Sequence, residues 1–248
     1  MVVTLLGTGG FAPSAARETA CTLVRQGERA LLLDAGTGVR RLLTDPRHLD
    51  GLAHLDVVLT HFHLDHVCGL PYLEALPLRP TLWAPGAWLY GRASADVLEP
   101  LRRPPIAPTD TRAAYEVREL RAGTQDVGGF AVRASEQPRH WSPTAGLRVD
   151  DELALVTDTP YEPTSARLAE GVRFLLHEAW SAASAPRYAD RDATAADAAR
   201  VAREAGVGSL TLVHLDPELP DPSILVEDAA PTFEHVTLGE DEQVLGEA

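Results

Sequence analysis

The stretch Val57-Val58-Leu59-Thr60-His61-Phe62-His63-Leu64-Asp65-His66-Val67-Cys68-Gly69-Leu70 constrains this chain more than any other. An apolar run of strand length stops at three histidines and an aspartate placed within six positions, then resumes as Val67, Gly69 and Leu70. Such a cluster is not core material. Imidazole and carboxylate are donors for zinc and similar divalent ions, and a loop at a strand end can aim them at one point from a fixed base. His61 and His63 can serve one ion while Asp65 and His66 face a second. Closing two such shells takes about three more His or acidic ligands, each at the end of a strand.

The remaining chain supplies that pattern. Leu153-Ala154-Leu155-Val156 ends in Thr157-Asp158, Phe174-Leu175-Leu176 in His177-Glu178-Ala179-Trp180, and Leu210-Thr211-Leu212-Val213 in His214. Gln137-Pro138-Arg139-His140-Trp141-Ser142-Pro143 sets one more histidine between prolines, away from any periodic apolar face. Open sheets and sandwiches keep their chemistry at strand ends.

Further strands are expected at Val2 to Leu6, at Cys21 to Arg25 and Ala30 to Leu33 (a hairpin around Gln26-Gly27-Glu28), and from Pro77 to Trp83. A β-like region from Tyr115 to Ser135 and a terminal strand from His235 to Leu238 complete the set. Gly7-Thr8-Gly9-Gly10 lacks the Walker lysine and the full dinucleotide spacing; a phosphate cradle and a tight turn beneath the metal loop both remain open. Helices are expected at Val39 to Leu43, Asp65 to Glu74, Ala93 to Leu98, Ala195 to Glu204 and near Ser223 to Ala230. The segment at about 85–110 stands apart. It joins Trp88, Tyr90, Arg102 and Arg103 to a proline-rich tail ending at Pro108, an insertion whose aromatic and arginine side chains would cover the substrate at the site mouth.

A chain of 248 residues, 45% hydrophobic, can bury a core as a single domain over 1–248. No run approaches a membrane span, and the first residues lack a basic region and a cleavage site, so a cytoplasmic protein is expected. Two cysteines, Cys21 and Cys68, are too few for a disulfide framework. The net charge of −14 repels long nucleic acids and leaves small anionic substrates, whose approach bound cations would favour.

The ordered set of motifs resembles the metallo-β-lactamase superfamily and, within it, the ribonuclease Z-like branch. His61-Phe62-His63-Leu64-Asp65-His66 is similar to the H-x-H-x-D-H signature. Leu6 to Gly10 with Pro13 and Arg17, then Leu33-Asp34-Ala35-Gly36-Thr37-Gly38, resembles the branch's N-terminal region. His140 with Gly146-Leu147-Arg148-Val149, then Asp158-Thr159, His177-Glu178-Ala179 and His214, continues the order.

The resemblance implies a four-layer αββα sandwich of the α/β (α+β) class, with two divalent metal ions, zinc in first place and manganese or iron on the same donors, in the cleft between its sheets. By position, His61, His63 and His140 would bind the first ion, Asp65, His66 and His214 the second, and Asp158 would bridge them. Two departures stand out. Only eight residues separate Val149 from Asp158, where true ribonuclease Z carries its transfer-RNA exosite arm, and Thr157 replaces the usual glycine.

The expected activity is hydrolysis of a small or nucleotide-like phosphodiester by a metal-bound hydroxide, with metal lowering the pKa of water to about 7. Asp65 would orient or deprotonate the nucleophile. His177 would contact the phosphoryl group or protonate the leaving group, with Glu178 holding its ring. The alternatives are hydrolysis of a thioester, lactone, lactam or sulfate ester, a ribonuclease Z-type RNA endonuclease, and redox chemistry on iron. A homodimer is what the resemblance suggests.

Overall fold

The computed structural model describes residues 1–107, 110–111 and 113–246. Pro108, the end of the expected insertion's proline-rich tail, lies outside the described residues. The strands are β1 (Val2–Gly7), β2 (Cys21–Gln26), β3 (Arg29–Leu33), β4 (His54–Val58), β5 (Thr81–Ala84), β6 (Glu116–Glu119), β7 (Gly123–Val127), β8 (Phe130–Gln137), β9 (Thr144–Val149), β10 (Leu153–Val156), β11 (Phe174–Glu178), β12 (Ser209–Val213), β13 (Val236–Leu238) and β14 (Val244–Gly246). They form two seven-stranded sheets, ordered β14-β1-β2-β3-β4-β5-β6 and β13-β12-β11-β10-β9-β8-β7. β9 and β14 are strands the sequence reading missed.

Period-2 alternation decides which side chain enters which layer. On β3, Leu31 and Leu33 join Val3, Leu5, Phe130, Leu147 and Leu176 in the core between the sheets, while Leu32 turns outward. Outside the first sheet lie α1 (Val39–Thr44), α2 (Leu64–Val67) and the turn of 3-10 helix at Leu70–Ala75; Leu42, Val67, Leu70 and Leu73 cover the sheet there. Outside the second lie α5 (Pro163–Leu168), α6 (Ala195–Ala205) and α7 (Ser223–Ala229), while α3 (Gly86–Tyr90) and α4 (Ser94–Leu98) of the 85–110 segment pack against β6 at the edge of the first sheet. Six buried side chains of α6, among them Ala195, Ala198 and Ala202, allow its close approach to β11 and β12, and Thr194 with Asp197 caps its first turn reciprocally. The architecture is the four-layer αββα sandwich.

The expected helix from Asp65 to Glu74 is broken. Pro71 lacks an N–H for a continuous ladder, and a Cβ on Gly69 would lie 2.4 Å from the Gly36 carbonyl oxygen, so the chain passes the β3–α1 turn at a place only glycine fits.

The 85–110 segment is fixed from below. The Glu119 carboxylate accepts the amides of Ala87 (3.0 Å) and Ser94 (2.6 Å) and the Ser94 hydroxyl (2.8 Å). Trp88 and Leu89 pack on the core between the sheets. The Arg102 guanidinium is buried 4.8 Å over the Tyr115 ring, and Arg103 pairs with Glu99 at 2.8 Å. Among the residues expected to hold substrate, Tyr90 is tied to the histidine loops, its hydroxyl donating to the Pro143 carbonyl at 2.6 Å and its ring 5.3 Å from Phe62.

Candidate metal centre

In the parallel ladder of the second sheet, Val156 stands opposite His177 on β11 and Glu178 opposite Val213 on β12. Strands β10, β11 and β12 therefore end almost level, and the residues just past them lie side by side. In the first sheet β3 and β4 run parallel with Leu33 opposite Val58, so Asp34 and the histidine loop emerge together. The Ala145 amide donates to the Thr60 carbonyl at 2.9 Å and joins the two sheets beside the cleft. Asp34, Asp158 and His214 each adopt a positive φ (58°, 56° and 51°), a left-handed conformation one or two residues past the strand end. Backbone of this kind persists only where its surroundings impose it, and it concentrates at functional sites.

All seven expected ligands converge. The donor atoms of His61, His63, His140 and Asp158 form one group and those of Asp65, His66 and His214 another, each within 4.8 Å. Asp158 stands between them. Its Oδ1 lies 3.4 Å from His140 Nε2 and 3.7 Å from His61 Nε2, and its Oδ2 lies 3.2 Å from His66 Nε2 and 3.6 Å from His214 Nε2. In the second group His66 Nε2 and His214 Nε2 are 3.1 Å apart, and Asp65 Oδ2 is 3.4 and 3.2 Å from them. His61 Nε2 is buried without a hydrogen-bond partner. A lone pair left unmatched inside a shell of imidazoles and carboxylates fits a divalent cation of the zinc class.

A second layer orients these donors, and most of it escaped the sequence reading. Asp34 accepts the His66 Nδ1–H at 2.9 Å, the Thr60 amide at 2.8 Å and the Thr60 hydroxyl at 2.9 Å. His140 Nδ1 faces the Arg191 carbonyl and Asp192 Oδ1, each at 3.1 Å. The Thr157 hydroxyl, where the family usually has glycine, donates to Asp158 Oδ2 at 2.7 Å. Asp34 carried a signal, since it ends an apolar strand; Asp192 sits in an aperiodic loop and carried none.

Burial drives the His61 imidazole well below its ordinary pKa, assisted by the neighbouring His66 charge, and burial also lowers His63. His66 and His214 move well above it, because Asp65, Asp158 and, for His66, Asp34 outweigh the burial that would lower them. Burial likewise opposes ionisation of Asp65 and Asp158, but the facing histidines hold both carboxyls below the usual range. Among the described residues this is the concentrated charge system of the cleft.

Glu178 and His177 require a correction. Phe174 and Leu176 face the core between the sheets and Leu175 faces α6, so alternation places Glu178 in the cleft and His177 under the helix. His177 is fully buried, its Nδ1–H donating to the Glu178 backbone carbonyl at 2.9 Å, and Asp197 of α6 is the acidic side chain that acts on it. It reaches neither donor group. The Glu178 carboxylate does not hold His177. It accepts the amides of Thr159 (2.5 Å) and Ala193 (3.2 Å) and lies 3.7 Å from His214 Nδ1. Burial pushes its carboxyl up to about 7.

The Gly7-Thr8-Gly9-Gly10 loop is neither a phosphate cradle nor a tight turn but a connecting segment, with Gly9 bridged in parallel to Thr19 and to Leu215. The Thr8 amide donates to Asp241 Oδ1, Gly9 to the Glu18 carbonyl and Gly10 to the Leu215 carbonyl, at 2.9, 2.9 and 3.0 Å. With its amides engaged, the loop has none to offer a phosphate. A Cβ on Gly10 would lie 2.7 Å from the His214 ring and 2.9 Å from Trp180, so this glycine sets how close the loop comes to the metal centre.

The family model described as the beta-lactamase superfamily domain matches residues 29–215. Ribonuclease Z of Mycobacterium sp. (strain KMS) is 32% identical over 246 aligned residues, covering 88% of this chain and 85% of that protein. Among solved structures, the metallo-beta-lactamase fold protein YhfI from Bacillus subtilis superposes with a TM-score of 0.83 at 20% identity, covering 99% of both chains. A diphosphatase from the PhnP family superposes with a TM-score of 0.76 at 17% identity, covering 100% of this chain and 98% of the other.

Proposed function

The chain belongs to the β-lactamase superfamily, in its ribonuclease Z-like branch, and on that premise we propose that it is a dinuclear metal-dependent phosphodiesterase acting on a small or nucleotide-like diester. The observation that carries the reading is the Asp158 carboxylate, one oxygen turned to His61 and His140 and the other to His66 and His214. His61, His63 and His140 would hold a first divalent ion, Asp65, His66 and His214 a second, and Asp158 would bridge them. Two such ions supply Lewis acidity for the phosphoryl oxygens and bring the pKa of water down to about 7.

The protein's own groups do the rest. Asp65 takes up a proton from the attacking water, its Oδ2 positioned by the Phe11 amide at 2.7 Å. Glu178 faces His214 Nδ1 across 3.7 Å, a charge contact rather than a hydrogen bond, and fixes the Asp158–Thr159 backbone through the Thr159 amide. His177 has no part in the chemistry, because the sheet stands between it and the cleft.

RNA cleavage is the second reading, favoured by the identity to proteins named ribonuclease Z. Against it, β9 and β10 are joined directly through Asp150, Asp151 and Glu152, which leaves no room there for an exosite arm, and the net charge is −14.

The test is turnover of bis(p-nitrophenyl) phosphate beside p-nitrophenyl monophosphate, sulfate and acetate, on protein whose metals have been counted by elemental analysis. Metal-dependent cleavage of the diester alone is expected. Two bound ions with cleavage of the sulfate or acetate instead would transfer the assignment to another ester class.

A further inference from the structure

Three large aromatic side chains next to the metal centre stand open to solvent: Phe11 at 77%, Trp141 at 62% and Tyr188 at 52% exposure. Phe11 and Tyr188 also adopt φ of 60° and 54°, a region that bulky L-residues enter only under constraint. A strained backbone that delivers an aromatic ring to water gains the fold nothing in packing.

Trp141 and Tyr188 form one unit with Arg191. Their ring centroids are 6.5 Å apart at an interplanar angle of 66°, and the Arg191 guanidinium lies 4.0 Å from the indole centroid. The unit is fixed to the metal centre twice. Trp141 directly follows His140, and the His140 ring is hydrogen-bonded to the Arg191 carbonyl at 3.1 Å. The amides of Arg191 and Asp192 donate to the Tyr188 carbonyl at 2.7 and 2.9 Å, closing the turn that holds Tyr188 in its left-handed conformation. Arg191 covers one face of the indole, and the surface that remains open is a pair of aromatic rings set edge to face, one residue from a metal-donor histidine.

We infer that Trp141, Tyr188 and Arg191 bind a planar ring carried by one arm of the diester, which makes the substrate a nucleoside-containing or aryl-bearing phosphodiester rather than an aliphatic one. The inference rests on the diesterase reading above. Rings stack on aromatic faces and guanidinium planes without needing the phosphate backbone of a long polymer. On a chain of net charge −14, that form of recognition suits a short ligand.

The experiment compares two diesters with the same leaving group, p-nitrophenyl thymidine 5′-phosphate and ethyl p-nitrophenyl phosphate, on the metal-loaded enzyme and its Trp141→Ala and Tyr188→Gly variants. The wild type is expected to prefer the ringed arm, through KM. Trp141→Ala should cut that preference by about tenfold, the scale of one lost stacking contact. Tyr188→Gly should also reduce it without lowering the melting temperature, since glycine accepts the positive φ. Equal losses on both diesters, or none, would overturn the inference while leaving the diesterase reading intact. Calorimetric binding of thymidine 5′-phosphate against ribose 5-phosphate supplies the separate readout. If the wild type cleaves neither diester yet binds the thymidine compound more tightly, through Trp141, the platform stands and the diesterase reading falls. Equal binding of the two would sink the platform.

Discussion

His177 and Glu178 are consecutive in the chain and serve opposite faces of β11: the Glu178 carboxylate lies 3.7 Å from His214 Nδ1, while the His177 ring is buried on the α6 side. Activity should therefore follow the glutamate. Glu178→Gln is expected to lower diester turnover by roughly tenfold or more, the range found when a partner of a metal ligand is altered. His177→Leu is expected to stay within about threefold of wild type per folded molecule. Steady-state kinetics on both variants decides the matter, and a large loss at His177 alone would reverse the assignment.

Burial holds the His177 imidazole down at about 4, from an ordinary 6.5. The folded state thus favours the neutral ring, and the unfolded chain takes up the proton first as pH falls. The contribution is complete above pH 6.5 and is lost progressively toward pH 4; at 1.36 kcal/mol per pH unit it amounts to about 3 kcal/mol. Urea unfolding at pH 7 and pH 4.5 should show a steeper loss of stability for wild type than for His177→Leu. Parallel losses would place the acid sensitivity elsewhere.

Asp158→Asn removes a charge shared by both donor groups and keeps the size of the side chain. Elemental analysis is expected to find fewer than two ions per chain, with turnover reduced by about a hundredfold or more. Retention of two tightly held ions would disprove the bridge.

Asp34 touches neither donor group's cleft-facing atoms, yet it fixes the His66 ring and the start of the histidine loop. Asp34→Asn tolerates the left-handed backbone at φ 58° but weakens the acceptor for His66 Nδ1. Metal affinity should fall by about 10- to 100-fold, measured by competition with a chelating dye. Unaltered affinity would show that His66 needs no orienting partner.

Gly10→Ala tests spacing, since the new methyl would meet the His214 ring and Trp180. Displacement of His214 is expected to lower turnover by about tenfold or more while the sheets, which Gly10 does not touch, unfold at nearly the wild-type temperature. A variant with full turnover would show that His214 can yield without cost.

The sequence exposed most of the donor set because apolar strands ending in His61, Asp158 and His214 announce their own boundaries. His140, held between prolines, became readable once ligands were missing. Adjacency of His177 to Glu178 in the chain suggests a partnership, whereas the period-2 pattern of Phe174, Leu176 and Glu178 against Leu175 and His177 separates them. Asp192 left no trace, for a loop residue has no periodicity to betray it. The short α2 was hidden by local helix-forming residues, which tertiary contact at Gly69 overrides. The aromatic platform lay outside the 85–110 segment where substrate contacts were expected, because that segment's Trp88 and Arg102 are consumed in packing.

Through β6 the described chain builds one sheet, and from β7 the other, with β14 alone returning to pair with β1. His61, His63, Asp65 and His66 lie before that crossing, and His140, Asp158 and His214 after it. A backbone cut between Leu120 and Gly123 would thus yield two pieces, neither holding a full ligand set, with one carrying the edge strand the other lacks. Metal uptake by the mixed pieces would report their reassembly, so the cleft doubles as a gauge of fragment complementation.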